Sequence, residues 1–308
     1  MTSTLARLAV VGCAFAMAIV AAANPTQTTP APAAPAAKAP APATPPPPPD
    51  AERATKALVD SPRHGEWVEI ALPAGDAKDA KPVKLKTWVS YPERSTKAPV
   101  VIVIHEIFGM TDWVRGVADQ LAAEGFIAVA PDLLSGKGPN GGGTESFTGD
   151  AVRTAIAGLD AAEVTARLNA ARDYAIALPS ATQRSACIGF CWGGSTSFAY
   201  ATRQPKLDGA VVYYGTAPTS KDELAKIACP VLGAYGGDDA RVTSTVEATT
   251  AAMRVAGKTY TSKVYEKAGH GFLRQQTGRD GANQRAADQA WAETIAFLKQ
   301  RLEAPAKP

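Results

Sequence analysis

Short apolar runs, rich in β-branched residues, alternate with segments of helical periodicity along residues 83–302. Each run is five to nine residues long, which is the length of a strand rather than of a helix. The runs are 83–91, 100–104, 126–130, 185–190, 210–214 and 231–235. The first alternates like a half-buried strand. The others are almost entirely apolar, which is typical of strands buried on both faces of a parallel sheet.

Between the runs, apolar residues recur every three or four positions, which is the spacing of one face of an amphipathic helix. Three such faces consist of Trp113, Val114, Val117 and Leu121, of Val164, Leu168, Ala171, Ala175 and Leu178, and of Ala287, Trp291, Ile295, Leu298 and Leu302. Strands that alternate with helices predict an α/β fold, with a mostly parallel sheet and helices on both of its faces.

The first 23 residues have the pattern of a secretory signal peptide. Arg7 precedes an apolar stretch, residues 8–23, that closes in small residues, so we expect cleavage after Ala23 and no membrane span in the mature chain. Two alternatives stay open: a retained anchor helix, or a lipid on Cys13, which follows Val10-Val11-Gly12. The protein is therefore expected to be exported, to the periplasm or out of the cell.

Residues 24–50 are predicted to be a disordered spacer. They include eleven prolines and few charged or bulky side chains, so they cannot bury a core and should be extended. Residues 51–308 remain as one domain, because no internal repeat divides them. Basic and acidic residues nearly balance in this domain, which argues against a nucleic-acid partner.

In proteins built on an open parallel sheet, the ligand binds beyond the carboxyl ends of the strands. The residues at these ends are His105-Glu106, Pro131-Asp132, Cys191, Tyr214-Gly215 and 236–239. Cys191 lies in Gly189-Phe190-Cys191-Trp192-Gly193, a G-x-C-x-G pattern between a strand and a helix. Glycines two before and two after a nucleophile permit the sharp turn of a nucleophile elbow, here with cysteine in place of serine.

Residues 51–308 contain three cysteines, so at least one thiol is unpaired. Cys187 and Cys229 are expected to be small buried apolar side chains. Cys187 and Cys191 are spaced like metal ligands, but no histidine or further cysteine lies near them in the sequence. We therefore expect neither a metal site nor a cofactor.

Only three histidines could act as the base: His64, His105 and His270. His64 lies in a polar segment and should be solvated, whereas His105 ends a strand and should hydrogen-bond to a neighbouring loop. His270 lies in a glycine-flanked loop before the last helix, a position that suits a general base.

A carboxylate is needed to orient the base, and Asp238 and Asp239 both follow the last apolar run. Either could also be an ordinary turn residue. The order nucleophile, acid and histidine along the chain is that of α/β-hydrolases.

The sequence resembles the dienelactone hydrolase family over most of residues 51–308. The motifs that carry the resemblance are 105–109, 131–133, 189–194, 213–215, 235–241 and 269–272. The resemblance implies a Cys191, His270 and Asp239 triad on an α/β-hydrolase fold, and it favours Asp239 over Asp238. It also implies that Glu106 contacts the resting cysteine and takes part in activating it.

The mechanism implied is attack by the Cys191 thiolate on an ester or lactone carbonyl, followed by hydrolysis of the thioester by water activated at His270. The backbone N–H groups of Trp192 and Ile107 would form the oxyanion hole. Members of the family bind a substrate carboxylate with two arginines. Arg274 matches one of them, whereas only Lys137 offers a cation near the second position, and we expect Tyr214 to line the substrate site.

Two other functions stay open at this stage. The same three residues could serve a thioesterase or a peptidase, or the domain could be a non-catalytic hydrolase fold that binds the cell envelope through its spacer. The expected partner is a small-molecule ester or lactone, and the sequence does not indicate an oligomeric state.

Overall fold

The computed structural model describes residues 44–72 and 83–303. The predicted signal peptide and most of the predicted spacer lie outside these residues. Within them, the strands are β1 (Gly65–Ala71), β2 (Lys84–Ser90), β3 (Ala98–Ile104), β4 (Ile127–Pro131), β5 (Ala181–Phe190), β6 (Gly209–Tyr213), β7 (Val231–Gly236) and β8 (Tyr260–Tyr265). The α-helices are α1 (Ala54–Asp60), α2 (Asp112–Ala123), α3 (Ala151–Ala157), α4 (Ala161–Ala177), α5 (Trp192–Arg203), α6 (Lys221–Leu224), α7 (Ala240–Thr243), α8 (Val246–Val255) and α9 (Ala282–Leu302).

The strands form one eight-stranded sheet in the order β1-β2-β4-β3-β5-β6-β7-β8. Strand β2 pairs antiparallel with β1 and β4, and all other neighbours are parallel. The predicted mostly parallel α/β sheet is confirmed, and each of the six apolar runs overlaps a strand.

Helices cover both faces of the sheet, as predicted. Alternate residues of β3 point to opposite sides, so Val101 and Val103 pack in one core with α2 and α9. Ile102 and Ile104 pack in a second core with α4, α5 and α8. The buried central strands explain why the apolar runs are continuous.

Residues 44–50, which the sequence assigns to the spacer, lie against the folded domain. Pro48 and Asp50 are buried, and the Gln276 amide donates a hydrogen bond of 2.7 Å to the Pro48 carbonyl. The Ala51 N–H donates to the Arg274 carbonyl at 3.0 Å. The packed part of the chain therefore begins before residue 51.

Among the residues described, none of the helices combines the length and the apolar character that crossing a bilayer requires.

Candidate active site

Cys191 occupies a strained turn between β5 and α5. Its backbone has φ 56° and ψ −117°, a conformation that residues other than glycine rarely adopt. A Cβ on Gly189 would overlap the backbone of Gly193, and a Cβ on Gly194 would overlap the Tyr213 carbonyl. The turn therefore has the geometry of a nucleophile elbow, and the strain projects the thiol at the carboxyl edge of the sheet.

The thiol of Cys191 lies between groups with opposite effects on its pKa. Burial raises this pKa, and the negative charge of Glu106 raises it further. Hydrogen bonds from the Trp192 and Ile107 N–H groups and the charge of Arg241 lower it by less, so that the pKa is raised overall. The resting side chain is a neutral thiol at pH 7.

The backbone N–H groups of Trp192 and Ile107 both act on the Cys191 thiol, since each lowers its pKa. Trp192 is the first residue of α5, and Ile107 lies in the loop after β3. Two fixed amide donors beside a nucleophile can stabilise the negative oxygen of a tetrahedral intermediate. The structure thus brings together the two donors that the resemblance implied.

His270 is paired with Asp239. The Nδ1 atom of His270, in the loop after β8, lies 2.6 Å from Oδ2 of Asp239, which directly precedes α7. Asp238 instead faces Arg279, whose Nη1 lies 3.1 Å from its Oδ2. Of the two candidate carboxylates, only Asp239 can hold the imidazole tautomer whose Nε2 is free to accept a proton.

Tyr214 lies beside both His270 and the thiol. Its ring packs edge to face on the imidazole at 5.1 Å between centroids. Burial raises the pKa of Tyr214, and the charge of Glu106 raises it further. Its buried hydroxyl has no hydrogen-bond partner among the residues that the structure describes. This hydroxyl can donate a hydrogen bond to a bound molecule.

Glu106 is buried and forms an ion pair with Arg274, with 2.8 Å between Oε2 and Nε. Burial raises the pKa of Glu106 to about 7, although the charge of Arg274 acts in the opposite direction. The guanidinium of Arg274 also lies 4.8 Å from the ring centroid of Phe108. Within the part of the chain described, no hydrogen bond joins the Cys191 sulfur to Glu106 or His270, so Glu106 acts on the resting thiol through its charge.

Comparison with known proteins shows the family of this chain. A sequence model of the dienelactone hydrolase family matches residues 85–302. The chain belongs to the dienelactone hydrolase family. It is an ester or lactone hydrolase with the α/β-hydrolase fold.

Individual members of the dienelactone hydrolase family match over most of their length. A Salmonella typhimurium protein named "Putative carboxymethylenebutenolidase" is 33% identical over 232 residues, which cover 70% of this chain and 83% of that protein. An Escherichia coli K12 protein of the same name is 32% identical over 217 residues, covering 66% and 77%. The crystal structure of a "Putative Dienelactone Hydrolase" from Klebsiella pneumoniae superposes with a TM-score of 0.65 at 27% identity, covering 77% of this chain and 99% of that one.

The resemblance to dienelactone hydrolases implies a second cation that would bind a substrate carboxylate, and Lys137 was the candidate. The surroundings of Lys137 differ from this expectation. Lys137 is engaged by Glu163 at the start of α4, with 2.7 Å between Nζ and Oε2, and so does not offer a free charge. Arg153 of α3 lies 5.0 Å from the ring centroid of Phe108, the ring that Arg274 also contacts. No sequence pattern pointed to Arg153, because its distance from Phe108 depends on where α3 packs.

The remaining side chains singled out in the sequence occupy the environments expected for them. His64 is two-thirds exposed and stacks on Tyr91. His105 is buried and accepts a hydrogen bond from the Leu133 N–H. Cys187 and Cys229 are buried free thiols.

Proposed function

We propose that this hydrolase cleaves its ester or lactone by covalent catalysis at Cys191, through a thioester. One observation carries the proposal: Cys191 occupies a strained strand-to-helix turn at the carboxyl edge of the sheet, in which a Cβ on Gly189 or Gly194 would overlap the backbone. A merely structural cysteine has no need of such a conformation, whose cost is of the order of 1–3 kcal/mol.

The first half of the reaction begins when substrate displaces the Glu106 charge, which lowers the pKa of the thiol. The thiol proton passes to Nε2 of His270, and the sulfur bonds to the carbonyl carbon. The Trp192 and Ile107 N–H groups stabilise the carbonyl oxygen as it becomes negative. The bond to the leaving oxygen then breaks, and His270 returns the proton to that oxygen.

The second half regenerates the thiol. Water attacks the thioester carbonyl and gives its proton to His270, while Asp239 stabilises the imidazolium through the 2.6 Å contact with Nδ1. The carbon–sulfur bond breaks, and His270 transfers the proton to the sulfur. The products are a carboxylic acid and an alcohol, or one hydroxy acid when the substrate is a lactone.

The test is hydrolysis of p-nitrophenyl acetate and a panel of small lactones by the full chain. We expect activity to disappear in Cys191→Ala and after iodoacetamide, and to persist in the control Cys229→Ala, which removes a buried thiol. Activity that survives Cys191→Ala would exclude the cysteine nucleophile. Turnover of acyl thioesters or peptides but of no ester or lactone would favour the thioesterase or peptidase alternative.

We also propose that the protein is exported by its first 23 residues and works in the periplasm or outside the cell. The support is the sequence pattern of Arg7 followed by the apolar residues 8–23. Cell fractionation tests this proposal, because a chain that stays with cytoplasmic markers at full length would contradict it. A chain that binds isolated envelope without hydrolysing any ester would favour the binding-module alternative.

A further inference from the structure

We infer that His105 is a positioning residue that orients both backbone donors of the oxyanion hole. The inference rests on the function proposed above and deepens it. His105 follows directly on β3 and is fully buried. Among the described residues, no hydrogen bond joins its ring to Cys191 or His270, so it acts through the residues that it contacts.

The hydrogen bonds of His105 fix its tautomer. Nε2 lies 3.3 Å from the backbone nitrogen of Leu133, which can only donate, so Nε2 accepts. Nδ1 lies 2.8 Å from the Glu106 carbonyl oxygen and therefore carries the hydrogen. Burial lowers the pKa of His105, in agreement with a neutral ring that keeps this tautomer. The imidazole thus ties the loop after β3 to the loop after β4.

The Glu106 carbonyl and the Ile107 N–H are opposite ends of one planar peptide group. A hydrogen bond that holds the carbonyl oxygen also fixes the direction of the Ile107 N–H, one of the two donors proposed for the oxyanion hole. The same carbonyl accepts from the Gly109 N–H at 3.1 Å. That second bond lies within the turn itself, so it cannot anchor the turn to the rest of the sheet, whereas His105 can.

The ring of His105 also contacts the residue of the second donor. It stacks on the Trp192 ring with 5.6 Å between centroids and 17° between planes. The backbone carbonyl of His105 lies so close to Gly193 that a Cβ there would overlap it. His105 therefore sets the position of the Ile107 peptide relative to the start of α5. An oxyanion hole requires a fixed distance between its two donors, which lie in these two places.

The experiment compares His105→Asn, His105→Gln and His105→Phe with the wild type in Cys191-dependent ester hydrolysis. The asparagine amide can place a donor near the position of Nδ1, whereas glutamine reaches the position of Nε2 and phenylalanine offers no donor. We expect kcat to fall roughly 10- to 100-fold in His105→Phe and His105→Gln, with KM changed less than about threefold, and His105→Asn to recover at least half of the loss on a logarithmic scale.

Two further readouts separate positioning from general damage. Affinity for a trifluoromethyl ketone, which forms an oxyanion on addition of the thiol, should fall in parallel with kcat. The rate of alkylation of Cys191 by iodoacetamide, which forms no oxyanion, should stay within about threefold of the wild type.

Equal kcat values in His105→Asn and His105→Gln would overturn the inference, and so would an alkylation rate that falls as far as kcat. If His105→Phe does not fold, the comparison of His105→Asn with His105→Gln still tests the inference. Failure of the proposed function is a separate result, because it appears in the wild-type background as ester hydrolysis that survives Cys191→Ala.

Discussion

The protonation state of Cys191 is set by its neighbours rather than by the thiol itself. A cysteine at the start of a helix, beside two backbone N–H groups, would ordinarily have a lowered pKa. Here burial and the Glu106 charge outweigh these groups and raise the pKa. Since Glu106 is itself engaged by Arg274, the electrostatic balance of the thiol extends over three side chains.

Replacing Glu106 by glutamine should lower the pKa of the Cys191 thiol, because a negative charge that disfavours the thiolate is removed. The rate of iodoacetamide alkylation rises with pH as the thiolate forms, so its midpoint should move to lower pH. The control is Glu266→Gln, an exposed carboxylate after β8. An unchanged midpoint in Glu106→Gln would mean that Glu106 does not control the thiol.

Replacing Asp239 by asparagine should lower kcat about 10³- to 10⁴-fold, because the imidazole loses the partner that holds its tautomer and stabilises its positive charge. The matched control is the neighbouring Asp238→Asn, whose carboxylate faces Arg279 and should be dispensable. Steady-state kinetics on p-nitrophenyl acetate decides between them. A larger loss in Asp238→Asn would reverse the assignment of the acid.

Among the secondary-structure elements, the sequence predicted those whose residue pattern reflects burial and local spacing. The central strands were recognisable because both of their faces are covered. Strand β1 was missed because it pairs on one side only and carries exposed polar residues. The elbow was predicted because its glycines and cysteine directly follow an apolar run, His270 because the sequence has only three histidines, and Asp239 through the resemblance to the family. The ion pair of Lys137 and the contacts of His105 depend on how distant segments meet, which no spacing encodes.

The loop that carries Ile107 is held at its far end by Thr144. The Thr144 hydroxyl accepts from the Met110 N–H at 3.1 Å and donates to buried Asp132 at 2.6 Å. Thr144→Val keeps the shape and removes both bonds, so we expect roughly a fivefold loss of kcat/KM and a Tm lower by a few degrees. Thr154→Val on exposed α3 is the control. Unchanged kinetics in Thr144→Val would show that Asp132 and Thr144 do not support the loop.

The whole domain includes the end of the proline-rich segment. Asp50 is buried, and its carboxylate accepts from the N–H and the side chain of Arg53. Pro48 and Ala51 hydrogen-bond to Gln276 and Arg274, respectively. These bonds support the segment that carries Arg274, the ion-pair partner of Glu106.

A chain that begins at residue 52 should therefore be less stable than one that begins at residue 44, and its KM should be higher because Arg274 is less well held. Thermal unfolding and steady-state kinetics measure the two effects, with the full chain as the reference. Equal Tm and KM values for the two shortened chains would mean that residues 44–51 contribute nothing to the domain.

The charge of Glu106 beside Cys191 has a further consequence, for chemical durability. Peroxides and disulfides react with thiolates far faster than with neutral thiols, and a sulfenic acid is the first product of peroxide. A resting thiol that keeps its proton is expected to resist oxidation between turnovers. In the mechanism proposed above, the thiolate is formed only when substrate fills the site and shields it. A cysteine enzyme built in this way can persist in oxidising surroundings that would inactivate a permanently ionised nucleophile.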